Sequence, residues 1–259
     1  MHPDRIAALL QPFLAGPSPS AAAKDLSFRA GFGPGESAVL SETQLQDIST
    51  YIDLLLRWNA RINLTSVRQP EEIVTRHFGE SLFAARCLFP GAARSSQGEG
   101  ATDQRPTTND HLIDVGSGAG FPGLPIKIWN PTLPLTLIES NQKKATFLRE
   151  VIRALTLMDV DVFSARAETY PPQHAALVTL RAVGRFETAV LAASRLLAPA
   201  GRLALLIGES QLSRVRELLP NLLWLEPLPV PLSLRRMLAI GSRADFVGIQ
   251  TNLDTSQIS

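Results

Sequence analysis

The segment His111-Leu-Ile-Asp-Val115, followed at once by Gly116-Ser-Gly118-Ala-Gly120-Phe121-Pro-Gly123, constrains this chain more than any other stretch. An apolar run that turns through glycines into a helix start reads as a buried strand whose end a ligand can approach closely. No Cβ blocks the way, and the turn is expected to present unpaired N–H groups. The spacing disfavours one phosphate-binding design and excludes another. A dinucleotide fingerprint wants its third glycine at position 121, which is Phe121, and no Lys-Ser or Lys-Thr pair follows as a phosphate-cradling loop requires. A tight strand-to-helix connection with no ligand is the bland alternative.

From this segment onward, short β-rich runs alternate with helical ones: LTLIE, NQKKATFLREVIRAL, VDVFSA, AALVTLRA, FETAVLAASRLL, GRLALLIG, MLAIG and DFVGI. Such alternation predicts an α/β fold, a mostly parallel central sheet with helices on both faces. Upstream, Ser41 with Gln44 forms a capping-box pattern ahead of Leu45, Ile48, Ile52, Leu55 and Leu56, so a helix is expected over 42–59. A second is expected over 70–89, striped by Ile73, Val74, His77, Phe78, Leu82 and Phe83 and stopped by Pro90-Gly91. Three parts follow. Residues 1–40 read as a loosely packed N-terminal helical extension with little chemistry, and 41–110 as a helical unit ending in a polar linker. Residues 111–252 form the ligand-binding sheet domain.

Ligands of open α/β sheets lie outside the carboxyl ends of the strands. Glu139 ends the second strand 25 residues after Asp114, near the separation at which a carboxylate meets ribose hydroxyls in nucleotide-binding folds. A third strand over Val160–Ser164 leads to Arg166-Ala167-Glu168, and a fourth, Leu177–Leu180, to Arg181. Arg166 and Arg181 are expected on one rim with Gly116 and Glu139, suited to RNA phosphate or a carboxylate. An adenosine ligand fits both a nicotinamide dinucleotide and S-adenosylmethionine, and only the glycine spacing separates them. His77, Asn59, Asn63 and Thr65 look more structural than catalytic, and Trp58 looks like packing.

Asp114-x-Gly116-x-Gly118-x-Gly120 resembles the cofactor turn of class I S-adenosylmethionine-dependent methyltransferases, with their Rossmann-like fold. Four separated motifs make the resemblance narrower: Trp58-Asn59-Ala-Arg-Ile-Asn63-Leu64-Thr65, Arg76-His77-Phe-Gly-Glu80-Ser81-Leu82, DVGSGAGFPGLP with the following LIES, and Arg166-Ala167-Glu168 with Arg181-Ala182. Over roughly 41–250 the chain is similar to the ribosomal RNA small subunit methyltransferase G family, with Glu80 for its usual Asp and Leu180 for its usual Ser. The resemblance implies methylation of guanine N7 in 16S ribosomal RNA with S-adenosyl-L-methionine as cofactor and the RNA or the small ribosomal subunit as partner. By that resemblance Gly116, Phe121, Ala167, Glu168 and Arg181 would line the cofactor site, joined by Asp114, Gly118, Gly120 and Glu139 from the turn and strand ends. Arg166 and Arg181 would be the residues nearest to catalysis, with no metal.

Composition trims the field without choosing. A net charge of +1 over 259 residues, 45% hydrophobic, describes neither a polyelectrolyte partner of nucleic acid nor a disordered chain. The single Cys87 forms no internal bridge and points to a reducing compartment, the cytoplasm. No signal peptide or membrane span is expected, and a monomer is. Two other classes stay open: an RNA- or ribosome-binding module without catalysis, and a small-molecule methyltransferase. A nicotinamide-dependent oxidoreductase is disfavoured by Phe121.

Overall fold

A computed structural model describes residues 1–15, 38–89, 111–172, 175–181 and 184–243. The first element, α1 (Pro3–Leu14), starts where the His2 side chain accepts from the Asp4 amide and Pro3 fills a first-turn position. Its Ile6, Leu10, Phe13 and Leu14 are buried. The start of the chain is therefore core helix, not loose extension. Helix α2 (Glu42–Asn59) has the expected bounds, with both capping-box bonds formed between Ser41 and Gln44. Gln44 does more than cap, because its Nε2 also donates to the Ile128 carbonyl at 2.8 Å.

The helix expected over 70–89 is present in three pieces. These are α3 (Pro70–Ile73), a π-helical stretch Val74–Gly79 and α4 (Glu80–Leu88). The widened turns occur where Phe13 of α1 lies against Gly79 so closely that an added Cβ would stand 2.5 Å from the ring. They also carry His77 inward, and π-turns of this kind are frequent at functional sites.

The sheet strands are β1 (Leu112–Val115), β2 (Leu135–Ile138), β3 (Val160–Phe163), β4 (Ala175–Arg181), β5 (Leu197–Gly208), β6 (Leu222–Trp224), β7 (Leu228–Pro229) and β8 (Arg236–Arg243). Their order is β3-β2-β1-β4-β5-β8-β6, with β7 also on β8. The first five are parallel, and β8 runs antiparallel to β5. β1, β2 and most of β4 are buried throughout, as strands covered on both faces must be. Helices α5 (Gly123–Trp129) and α6 (Gln142–Ala154) share one apolar cluster with α1, α2 and α4. Helices α7 (Phe186–Leu196) and α8 (Leu212–Leu218) cover the other face. The helical unit is thus built onto the sheet, not hung from it. Among the described residues no helix is long and apolar enough to cross a membrane. The polar linker expected over 91–110, the DFVGI run and the tail after Asn252 lie outside the described residues.

Because β1 pairs with β2 on one side and β4 on the other, the chain reverses its winding direction at β1. The crevice outside that strand's carboxyl end is where a ligand of such a sheet belongs.

Candidate cofactor pocket and the buried network behind it

The glycine turn leaves β1 through three residues in the left-handed region, Gly116, Gly118 and Gly120, with φ of 68°, 57° and 89°. Side chains rarely adopt such angles, which is the first reason for glycine here. The second differs by position. A Cβ on Gly120 would collide with the Tyr51 hydroxyl and stand 2.6 Å from Leu124 Cδ1, so that glycine serves packing. A Cβ on Gly118 would meet nothing nearer than the Gly116 carbonyl at 3.8 Å, so this glycine faces open space.

Five of the turn's N–H groups, expected to be unpaired, have acceptors. The amides of Gly116 and Ser117 donate to the Ile138 carbonyl, those of Gly120 and Phe121 to the Ser117 carbonyl, and that of Gly118 to Glu139 Oε2 at 2.9 Å. Short loops beside buried strands satisfy their own donors because an orphaned amide is costly. The second carboxylate oxygen of Glu139 accepts from the Asn141 amide at 2.7 Å. A carboxylate has about four acceptor positions, so two remain for a ligand.

An open pocket of about 260 Å³ lies at the carboxyl ends of β1 and β2. Its walls include Gly116, Glu139, Arg166, Ala167, Glu168 and Arg185. Arg166 and Glu168 are exposed, and Ala167 sits in a 3-10 turn over Ala167–Thr169. A wider groove of about 500 Å³, walled by Arg153, Met158 and Asp161, lies where β3 begins, at the opposite end of the strands. It is therefore not the candidate site.

Two residues expected to bind the cofactor lie buried beside the pocket. Asp114 has no exposed surface. Its Oδ1 accepts from the Thr179 hydroxyl at 2.8 Å and its Oδ2 from the Gly123 amide at 3.3 Å. Burial pushes its carboxyl up to about 6 against the opposing pull of those bonds and of Arg181. It holds the loop from below and does not reach the pocket. Phe121, expected in the cofactor site, is buried between Tyr51, stacked at 5.4 Å, and His77, stacked at 4.8 Å. Its ring forms part of the wall between helical unit and sheet.

Arg181 is buried as well. It was expected to share a rim with Arg166, but β4 delivers it to the other side of the turn. There it is 8% exposed, with its guanidinium 5.8 Å from the Phe121 ring centre. Its Nη2 meets His77 Nδ1 at 2.7 Å and its Nε lies 3.7 Å from the Glu80 carboxylate. A guanidinium only donates, so His77 Nδ1 accepts and the ring proton sits on Nε2, 2.8 Å from the Thr65 hydroxyl. Burial and the nearby arginines 181 and 76 lower the His77 pKa to about 3, so the ring is neutral. Burial also lowers Arg181 to about 10, opposed chiefly by Glu80. Glu80 in turn accepts from Arg236 Nε at 3.2 Å.

The network continues outward through Asn59. Its Oδ1 accepts from the amides of Leu64 and Thr65 while its Nδ2 donates to the Thr65 carbonyl. Asn59 and Thr65 thus hold the loop after α2 together, a structural role as expected, whereas Asn63 is exposed. Trp58 packs edge-on against Phe147 at 5.8 Å. Cys87 is buried and its thiol is pushed up to about 12, which leaves it inert.

Sequence reasoning did not single out Arg236, Thr179 or Arg185. Arg236 lies 156 residues from Glu80, and nothing local in the sequence announces the pair. Thr179 had a signal, since it stands directly opposite Asp114 once β1 and β4 are aligned.

A family model for rRNA small subunit methyltransferase G matches residues 44–224. The chain belongs to that family. A protein of Roseiflexus castenholzii called ribosomal RNA small subunit methyltransferase G is 45% identical over 156 residues, 58% of this chain and 59% of the relative. One of Halorhodospira halophila with the same name is 36% identical over 79% of this chain and 90% of its own length. The chain thus spans about three fifths of the Roseiflexus relative. A solved structure from Methanococcus maripaludis, provisionally described as an S-adenosyl-L-methionine-dependent methyltransferase, superimposes with a TM-score of 0.50 at 12% identity. It covers 82% of this chain and 98% of its own, and it establishes a shared fold.

Proposed function

We propose that this chain transfers a methyl group from S-adenosyl-L-methionine to N7 of a guanine in 16S ribosomal RNA, as a methyltransferase of its family. The observation that carries the reading is that Glu139 lines the switch-point pocket beside Gly116 and is held there by the Gly118 amide. That places a carboxylate with acceptor capacity to spare beside backbone with no side chain in the way, which suits a ribose. Gly116, Gly118, Glu139 and Ala167 would hold the nucleoside part, with Asp114 fixing the turn beneath them. When bound, S-adenosyl-L-methionine supplies a methyl group on a sulfonium centre, open to in-line attack.

Guanine N7 carries an in-plane lone pair and no proton, so the protein supplies position and shelter more than proton transfer. The buried network agrees. Both His77 nitrogens are engaged and the ring is neutral, so His77 offers no free base. Its work is to fix Arg181 and the Phe121 wall. Arg166 and Arg185, exposed at the pocket, are placed to meet RNA phosphate.

Small ribosomal subunits from a strain without the activity test the reading. After incubation with protein and S-adenosyl-L-methionine, borohydride and aniline should cleave the 16S RNA at one new guanine. No cleavage from a preparation that binds S-adenosylhomocysteine would overturn it.

A further inference from the structure

The turn between β7 and β8 has no explanation in the fold or in the pocket. Val230 and Arg236 close it through the Val230 amide and the Arg236 carbonyl at 2.9 Å, and the Ser233 hydroxyl accepts from the Arg236 amide at 3.1 Å. Val230 is buried. The base of the turn is therefore fixed, but its tip is apolar and bare: Leu232 is 73% exposed and Leu234 is 99% exposed. Among the described residues these are the only two exposed large apolar side chains that share a loop. Single exposed leucines need no account, but two within three residues at a functional rim do.

Leu232 also has a φ of 57°. Asn or Gly takes that conformation far more readily than Leu, and a side chain so exposed contributes little packing in return. Local stability would not choose leucine there. A residue that costs the fold and gives nothing back is expected where a ligand is met.

Position says which ligand. Arg236 pairs with Gly208 at the carboxyl end of β5, so the turn stands at the same end of the sheet as the glycine loop. Along that rim the order is β1, β4, β5, β8, three strand spacings or about 14 Å. A strand of a few nucleotides bridges that gap. The side chains on the way are mixed in charge: exposed Arg235 in the turn itself, exposed Glu209 at the end of β5 with its amide on the Arg235 carbonyl, then Arg236, whose Nε donates to Glu80.

We propose that the 231–235 turn is an RNA-contact element, in which Leu232 and Leu234 pack against unstacked bases beside the target guanine and Arg235 meets a phosphate. Apolar side chains wedged against bases, next to a cation on the backbone, are a recurrent way to hold nucleic acid open. The inference rests on the function proposed above, and its test separates the two.

Leu232→Asn and Leu234→Ser are combined, and methyl transfer is measured on small subunits lacking the mark. The expected result is a KM for subunits raised on the order of tenfold, with S-adenosylhomocysteine affinity within about twofold of wild type and a melting temperature equal or higher. A benzophenone amino acid at position 234 should cross-link to 16S RNA within a few nucleotides of the methylated guanine. An unchanged KM, or cross-links only to ribosomal protein, overturns the inference. If the wild-type protein methylates nothing yet residue 234 still cross-links to the RNA, the turn keeps its role and the proposed reaction fails instead.

Discussion

On the β2 side of the rim, Glu139, Arg166 and Glu168 surround an open pocket, and two of these three side chains are exposed. On the β4 side, Arg181, His77 and Glu80 are as polar, yet all three are buried and engaged with one another. The same turn, Gly116 to Gly120, separates them. Exposed groups keep charges and lone pairs available to a ligand, and removing one costs the fold little. Buried groups have already used theirs, and removing one leaves its partners uncompensated. Substitutions on the open side should therefore change binding, and those on the closed side stability.

The largest effect that would sharpen this contrast is within the turn itself. Gly120→Ala meets both a positive φ and the Tyr51 and Leu124 side chains, so it should destabilise the protein by about 4 kcal/mol in urea titrations. Gly118→Ala, with space around it, should cost only about 1 kcal/mol and lose cofactor affinity instead. Equal losses of stability would break the distinction between the two glycines.

Next is Arg181→Met, which removes one of the two cations beside Glu80 and leaves His77 Nδ1 without a donor. A loss of about 3 kcal/mol is expected in chemical denaturation, and a variant as stable as wild type would show that the network holds nothing together.

A smaller effect comes with pH. The His77 pKa is lowered from 6.5 to about 3, so the unfolded chain binds the extra proton first and stability is lost as pH falls below 6.5. Between pH 6.5 and 5 the loss from this group is about 2 kcal/mol. Asp114, raised to about 6, acts in the opposite sense below that pH, since its native form takes up the proton more readily. The difference between wild type and His77→Gln isolates the histidine. A parallel pH dependence of the two would mean that His77 is not held neutral by the fold.

The fold was legible where local chemistry repeats itself. The capping box of Ser41 and Gln44, the alternation after His111 and the glycine spacing each declare their structure within a few residues. The open half of the site was legible for the same reason, because Gly116 and Glu139 follow a strand directly and Arg166-Ala167-Glu168 starts within three residues of one. The closed half was not. Arg181 ends a strand, but which way it turns depends on His77 and Glu80, 104 and 101 positions upstream, His77 being carried inward by a π-helical stretch that no residue type announces. Asp114 was read as a ligand contact because a carboxylate before a glycine turn often is one. Its partners Thr179 and Gly123 became visible only with the strands in register.

The most direct measurement is calorimetric titration of S-adenosylhomocysteine into wild type and Glu139→Ala. Wild type should bind, and Glu139→Ala should bind more weakly by about 1–3 kcal/mol, the worth of a charge-assisted hydrogen-bond pair to the ribose, with a lower melting temperature because the Gly118 and Asn141 amides lose their acceptor. No binding by wild type, or equal affinity in the variant, would contradict the placement of the cofactor over Glu139 and the glycine turn.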